Sequence, residues 1–285
     1  MKKKQLCIMN HHYQFYSIEE VFKTANGLGI ENIEMWTAPQ HLYVDYLNYD
    51  SLEKIIGYSK KYNVKIACIC PEQTNPKPNN MAAIDENQRR RTQDYFRNIV
   101  DIASITGAGK VVVTSGWGFL DISREKSWNY SIDMMKRICS YAEKRNVQLC
   151  IEALQLTESN LVNNIKDLYR YLNEVNSDYL NICIDLGAAS IAGDSIDEYF
   201  NIFGEKIKHC HFVDVGEDTH LAWGDGSRDM LEDLMVFKKY GYEGYLSMEI
   251  ASSRYHKKPF LADKQSYSKF IENIEKVNSI VRKKI

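Results

Sequence analysis

Four short runs end in a residue that binds divalent cations well: Leu149-Cys150-Ile151-Glu152, Ile182-Cys183-Ile184-Asp185, Lys208-His209-Cys210-His211 and Leu246-Ser247-Met248-Glu249. Each reads as a buried parallel strand with one polar residue at its carboxyl end. Side chains alternate along a strand, so Glu152 shares a face with Cys150, Asp185 with Cys183, His211 with His209 and Glu249 with Ser247. The opposite face carries Ile151, Ile184, Cys210 or Phe212, and Met248, which suit packing under helices. In one closed parallel barrel the four ends would converge on the face where barrel enzymes keep their active sites. Taken singly, each is an ordinary polar residue where a strand meets a loop. Together they put three carboxylates in one mouth, where they repel one another and take up protons unless a cation compensates. Three carboxylates and one imidazole suit one divalent ion, with Mn²⁺, Co²⁺ or Mg²⁺ favoured and Zn²⁺ left open.

The elements that must position these residues alternate along the chain. Residues 5–9 read as a first strand, and Ser17 with Glu20 is spaced as a capping box for a helix whose apolar stripe is Ile18, Val21, Phe22, Ala25 and Leu28, closed by Gly29. Further strands are expected at 32–36, 64–70 and 110–114, then at the four ligand-bearing runs. The helices between and after them are expected near 51–62, 85–106, 124–145, 161–174, 195–203, 230–240 and 263–281. Residues 71–80 carry three of the five prolines and no apolar periodicity, which reads as a long loop and a candidate lid. Eight strand–helix units without a linker predict an α/β fold, a single (β/α)8 TIM barrel domain spanning 1–285. An open doubly wound sheet is disfavoured because no glycine-rich fingerprint follows the first strand.

Composition removes several function classes. With 36 basic and 38 acidic residues the formal net charge is −2, so no global field attracts a polyanion, and nucleic acid is not an expected partner. Seven cysteines, an odd number set in runs such as Ala67-Cys68-Ile69-Cys70, read as small buried hydrophobes rather than a disulfide framework, and a cytoplasmic location is expected. The first apolar run stops at Asn10, too soon for a signal segment, and no run reaches the roughly 18 apolar residues that span a membrane. Arg89-Arg90-Arg91 on the long helix reads as a solvated face or a subunit contact, and a homo-oligomer stays open. His11 and His12, in the loop after the first strand, read as solvated; His209, one layer below His211, reads as a satisfied core histidine.

At the four strand ends the chain resembles the xylose-isomerase-like barrel superfamily of sugar isomerases, 3-epimerases and metal-dependent AP endonucleases, over nearly its whole length. Several local runs look most like its fructoselysine 3-epimerase branch: Ile33-Glu34-Met35-Trp36 with His41, Pro71-Glu72 with Asn75 and Pro78, Glu158-Ser159-Asn160, His211-Phe212-Val213-Asp214, Asp218-Thr219-His220 and Gly241-Tyr242-Glu243-Gly244-Tyr245. The resemblance implies that Glu152, Asp185, His211 and Glu249 hold one metal. It also implies that Glu152 and Glu249 act as base and acid, removing and returning the C3 proton of a keto-sugar through a metal-stabilised enediolate.

By the same resemblance Glu158 hydrogen-bonds ketose hydroxyls near the carbonyl, its alternative being a solvated or helix-entry carboxylate. Glu72 and Asp218 are further candidate substrate contacts. His220 contacts substrate or caps its loop, and Trp36 and Trp117 form an apolar wall or simply pack. Ketohexose 3-epimerases also grip substrate with a His three residues after the metal Asp and an Arg after strand seven. Here Ala188 stands at the first place, while Glu217 and Asp218 occupy the second neighbourhood, so a ketose with an amine-bearing tail is expected over a free ketohexose. Alternatives are a ketose/aldose isomerase or inosose-type dehydratase on the same metal and, lower, an AP endonuclease or a non-catalytic sugar-binding barrel.

Overall fold

Period-two alternation in strands flanked by helices leaves each strand with two apolar faces to cover, and closing the sheet on itself covers both. In the computed structural model, which describes residues 1–75 and 77–282, eight parallel strands do this. They are β1 (Leu6–Met9), β2 (Asn32–Trp36), β3 (Lys65–Cys70), β4 (Lys110–Val113), β5 (Gln148–Ile151), β6 (Leu180–Asp185), β7 (Ile207–His211) and β8 (Tyr245–Met248), paired in sequence order with β8 closing on β1. The expected (β/α)8 barrel is the observed one. Its interior is filled by small or flexible side chains, Met9, Cys68, Cys70, Val112, Cys150 and Cys183, while the outward Ile, Leu and Val of the same strands join the larger core beneath the helices. All seven cysteines are buried thiols.

The helices are α1 (Ile18–Leu28), α2 (Glu53–Tyr62), α3 (Glu86–Thr106), α4 (Arg124–Lys144), α5 (Ile165–Val175), α6 (Leu186–Ala192), α7 (Ile196–Phe203), α8 (Met230–Lys239) and α9 (Pro259–Arg282). Three differences from the sequence expectation have local causes. Ser17 precedes α1 in extended geometry but makes no side-chain cap bond, and Glu20 pairs with Lys23 instead, so the capping box does not form. Helix α5 starts at Ile165 because the Asn164 side chain caps it, accepting from the Asp167 N–H. The short helix α6, unexpected from the sequence, begins directly at the strand end because the Asp185 side chain caps it.

The arginine run is not a uniformly solvated face. Arg89 pairs with Asp133 at 2.5 Å and donates to the carbonyls of Ala83 and Tyr130, tying α3 to α4. Among the described residues no helix is long and apolar enough to cross a membrane.

Candidate active site

Asp185 closes β6 and His211 closes β7, while Glu152 and Glu249 follow the last residues of β5 and β8. The four side chains meet at the carboxyl end of the barrel, each offering one ligand atom, all within 4.8 Å of one another. Asp185 is aimed by its capping bonds: Oδ1 accepts from the Gly187 N–H at 2.6 Å and the Ala188 N–H at 3.2 Å. His211 Nδ1 lies 2.7 Å from Glu249 Oε2 and 3.0 Å from Glu152 Oε2. Even so, His211 Nδ1 and Glu152 Oε2 are fully buried without a hydrogen-bond partner. Both atoms are thus crowded against charged neighbours without a well-directed hydrogen bond.

Such an arrangement is costly for polar atoms alone, and a divalent cation satisfies it. Neighbouring ligands ~2.1 Å from an octahedral ion stand about 3 Å apart, and the two His211 Nδ1–glutamate distances, 2.7 and 3.0 Å, are of that size. The donor set therefore fits one divalent cation.

Electrostatics push the two glutamates apart. Burial drives the Glu152 carboxyl up to about 8, against the pull of His211. Burial acts the same way on Glu249, but His211 and His220 override it and hold that carboxyl well below the usual range. His211 itself is held well above the ordinary imidazole value against desolvation, by Cys183 and by Glu249, Glu34 and Glu152. Since burial raises the Cys183 thiol far above neutrality, the carboxylates supply that effect at working pH. One acid that keeps its proton beside one that does not is the pattern of an acid/base pair.

A cavity of about 410 Å³ opens over these groups, lined among others by His11, Trp36, Glu72, Lys77, Glu158 and His220. Trp36 forms a wall and stacks on His11 at 4.2 Å. Glu158 lines the cavity half-buried, its carboxyl raised by burial. Glu72 lines it too, paired with Lys77 at 2.7 Å. His220 Nε2 reaches Asp185 Oδ2 at 3.1 Å and Glu249 Oε2 at 3.3 Å, bridging two of the candidate ligands. Its loop is folded around the buried Asp214 carboxylate, which accepts from the backbone N–H groups of Val215, Gly224, Gly226 and Arg228.

Other expected contacts lie elsewhere. Trp117 is not among the residues lining this cavity; its ring packs edge-on against Phe119. Asp218 is exposed, accepting from Ser252 Oγ at 2.6 Å with Arg254 nearby, and Glu217 beside it is exposed as well, so the two acids of this loop do not line the cavity. Neither loop histidine is solvated as expected. His11 packs on Trp36, and burial lowers its imidazole to about 4. His12 is fully buried against Asp263, which also accepts from the Tyr13 hydroxyl.

The residue to which the sequence reading assigned no role is Glu34. Fully buried in β2, its carboxylate accepts from His209 Nε2 at 2.7 Å and His211 Nε2 at 3.2 Å. Parity was the available signal, because Glu34 shares a strand face with Asn32 and Trp36 and a carboxylate in mid-strand is rarely buried unpaired. His209 is a core histidine, satisfied at Nε2 but not at Nδ1.

Gly187 is constrained by the same geometry. A Cβ there would lie 2.6 Å from the Thr219 carbonyl, 3.1 Å from Asp185 Oδ1 and 3.2 Å from His220 Cε1. Gly187→Ala is expected to cost about 1–3 kcal/mol of stability and to weaken any divalent-cation binding at the candidate site at least ~10-fold by displacing Asp185 and His220. Thermal unfolding and calorimetric titration read the two effects separately.

A family model for the xylose isomerase-like TIM barrel matches residues 22–275. The chain belongs to that family. Among relatives of this xylose isomerase-like barrel, fructoselysine 3-epimerase of Shigella flexneri is 29% identical over 260 residues, covering 90% of this chain and 94% of that protein. The solved structure of an L-ribulose 3-epimerase superposes with a TM-score of 0.81 at 17% identity, covering 97% and 96% of the two chains. A zinc-bound crystal structure of the IOLI protein superposes at 0.75 with 18% identity, covering 96% and 99%. At these identities the two structures show a shared fold.

Proposed function

We propose that this protein is a metal-dependent keto-sugar 3-epimerase of the fructoselysine/psicoselysine type, with Glu152 and Glu249 as its paired acid and base. The observation that carries the reading is that these two carboxylates meet around His211 Nδ1 at the floor of the 410 Å³ cavity, with their proton affinities driven in opposite directions. The likeness to fructoselysine 3-epimerase supports the substrate class.

Epimerisation at C3 of a 2-ketose breaks the C3–H bond, moves its electron pair toward the C2 carbonyl, and re-forms C–H on the other face. A divalent cation held by Glu152, Asp185, His211 and Glu249 supplies Lewis-acid polarisation of the keto oxygen when bound. One glutamate takes the C3 proton and the other returns a proton from the opposite side. Glu158 orients the hydroxyls next to the carbonyl. Trp36, stiffened by His11, presents an apolar face to the sugar ring or chain and keeps water from the reacting carbon.

For an amine-bearing tail the candidate carboxylate is Glu72, which lines the cavity and would exchange Lys77 for the substrate amine, in place of the solvent-facing Glu217 and Asp218. Glu72→Gln is expected to raise KM for fructoselysine about tenfold with kcat little changed, and to leave a free ketose unaffected. Steady-state kinetics on both substrates checks this, and equal losses on both would remove the tail assignment.

The reaction class is tested by incubating the enzyme and Mn²⁺ with fructoselysine in deuterium oxide. Deuterium at C3 with the carbonyl unmoved is the expected NMR result. Label confined to C1 would mean a ketose/aldose isomerase, and loss of water a dehydratase.

A further inference from the structure

Glu34 joins two histidines that stand two residues apart on β7 to a carboxylate from the opposite part of the chain. All three side chains have no exposed surface. An ionised carboxylate only accepts hydrogen bonds, so both contacts, His209 Nε2 to Oε2 and His211 Nε2 to Oε1, require the hydrogen to sit on Nε2 of each ring. In a neutral imidazole this leaves Nδ1 as a bare electron pair. His211 Nδ1 is the atom that faces Glu152 and Glu249 and lacks a hydrogen-bond partner. We propose that Glu34 is a positioning residue that fixes the tautomer and ring direction of His211, so that Nδ1 presents its electron pair to the cation site, with His209 anchoring the second oxygen of Glu34.

This role rests on the metal-site reading above, and it follows from matching donors with acceptors. Glutamine at position 34 has nearly the same shape but offers one acceptor and one donor. It can satisfy only one Nε2–H, so the other ring must move its hydrogen to Nδ1 or lose its bond. If that ring is His211, a hydrogen is placed on the ligating atom. If it is His209, the substituted amide lacks both its anchor and the charge of the carboxylate, and His211 loses the partner that strengthens it as a ligand.

The experiment compares wild type, Glu34→Gln, His209→Gln and His211→Ala by two measurements: calorimetric Mn²⁺ affinity, and ¹⁵N imidazole spectra of the Zn²⁺-loaded and metal-free proteins. Glu34→Gln is expected to weaken Mn²⁺ binding 10–100-fold and to shift the His211 nitrogens away from the Nε2–H pattern. His209→Gln retains an N–H for Glu34 and is expected to stay within about threefold of wild type, although its core is disturbed.

Equal weakening in Glu34→Gln and His209→Gln would show a general packing defect and overturn the assignment, as would an unchanged His211 spectrum in Glu34→Gln. Should Glu34→Gln not fold, Glu34→Asp keeps both acceptors on a shorter stem and is expected to retain the Nε2–H pattern with weaker affinity; loss of that pattern, or wild-type affinity, would overturn the assignment. Failure of the metal reading is visible separately, as wild type and His211→Ala binding Mn²⁺ alike. In that case the metal-free spectra, recorded at a pH high enough to leave His211 neutral, decide the role of Glu34, with the Nε2–H pattern in wild type and its loss in Glu34→Gln as the supporting result.

Discussion

Glu152→Gln and Glu249→Gln are each expected to lower the rate of 3-epimerisation by about a thousandfold, within the 10²–10⁴ that positioned proton transfer contributes. Both glutamates are also proposed cation ligands, so a bare loss of turnover would not identify a base. The distinguishing readout is proton exchange at C3 taken one epimer at a time. With two bases on opposite faces, each variant keeps one of them. One variant should still wash deuterium into C3 of the ketose that the remaining carboxylate faces, without producing the other epimer, and the second variant should show the complementary preference. Glutamine keeps a ligating oxygen, so metal content measured on the same samples separates loss of the ion from loss of the base. If either variant exchanged both epimers equally, a single group would be serving both faces and the paired-base assignment would fall.

Removing divalent cations is expected to make stability depend steeply on pH. In the metal-free protein burial holds the Glu152 carboxyl at about 8, far above the ordinary 4.5, and His211 and His220 sit well above 6.5. Raised groups hold protons in the folded chain that the unfolded chain has released. Their stabilisation is fully present at low pH and is lost as pH rises, for Glu152 between about 5 and 8 and for the histidines from about 6.5 upward. The slope is on the order of 1 kcal/mol per pH unit for each group.

Glu34 and Glu249, held below the carboxylate range, work in a different window. Their contribution is present above about 4.5 and fades only as pH falls below it. A cation takes the place of the extra protons, so saturating Mn²⁺ should flatten the profile between pH 5 and 8, and Mn²⁺ affinity should rise with pH by about tenfold per unit for each proton displaced. Thermal unfolding in chelator and in Mn²⁺ across that range checks both. A chelated protein whose midpoint is independent of pH would contradict the electrostatics of the site.

What could be read from the sequence followed from local rules. Strand parity is a property of a single strand, and four consecutive runs ending in Glu, Asp, His and Glu carry their own direction, so the barrel, the shared face and the cavity floor were all legible. Helix positions were legible within a few residues, because apolar stripes and flanking turn residues are local as well. Where the reading failed, the missing partner was remote or loop paths decided. Trp36 and Trp117 both stand at or just after a strand, yet only one lines the cavity, because the path of the chain after β4 turns Trp117 onto Phe119. His12 reads as an ordinary loop histidine until α9 brings Asp263 against it from 251 residues away.

Glu34 is the clearest case. Its parity is visible in β2, but its meaning depends on His209 and His211, 175 and 177 positions along the chain, which barrel closure brings within hydrogen-bond reach. The sequence by itself determined which residue types stand at the rim of the barrel, since alternation and strand polarity are set residue by residue. Only the tertiary structure decided which nitrogen of His211 faces Glu152 and Glu249, because its other nitrogen meets a carboxylate delivered from a distant strand.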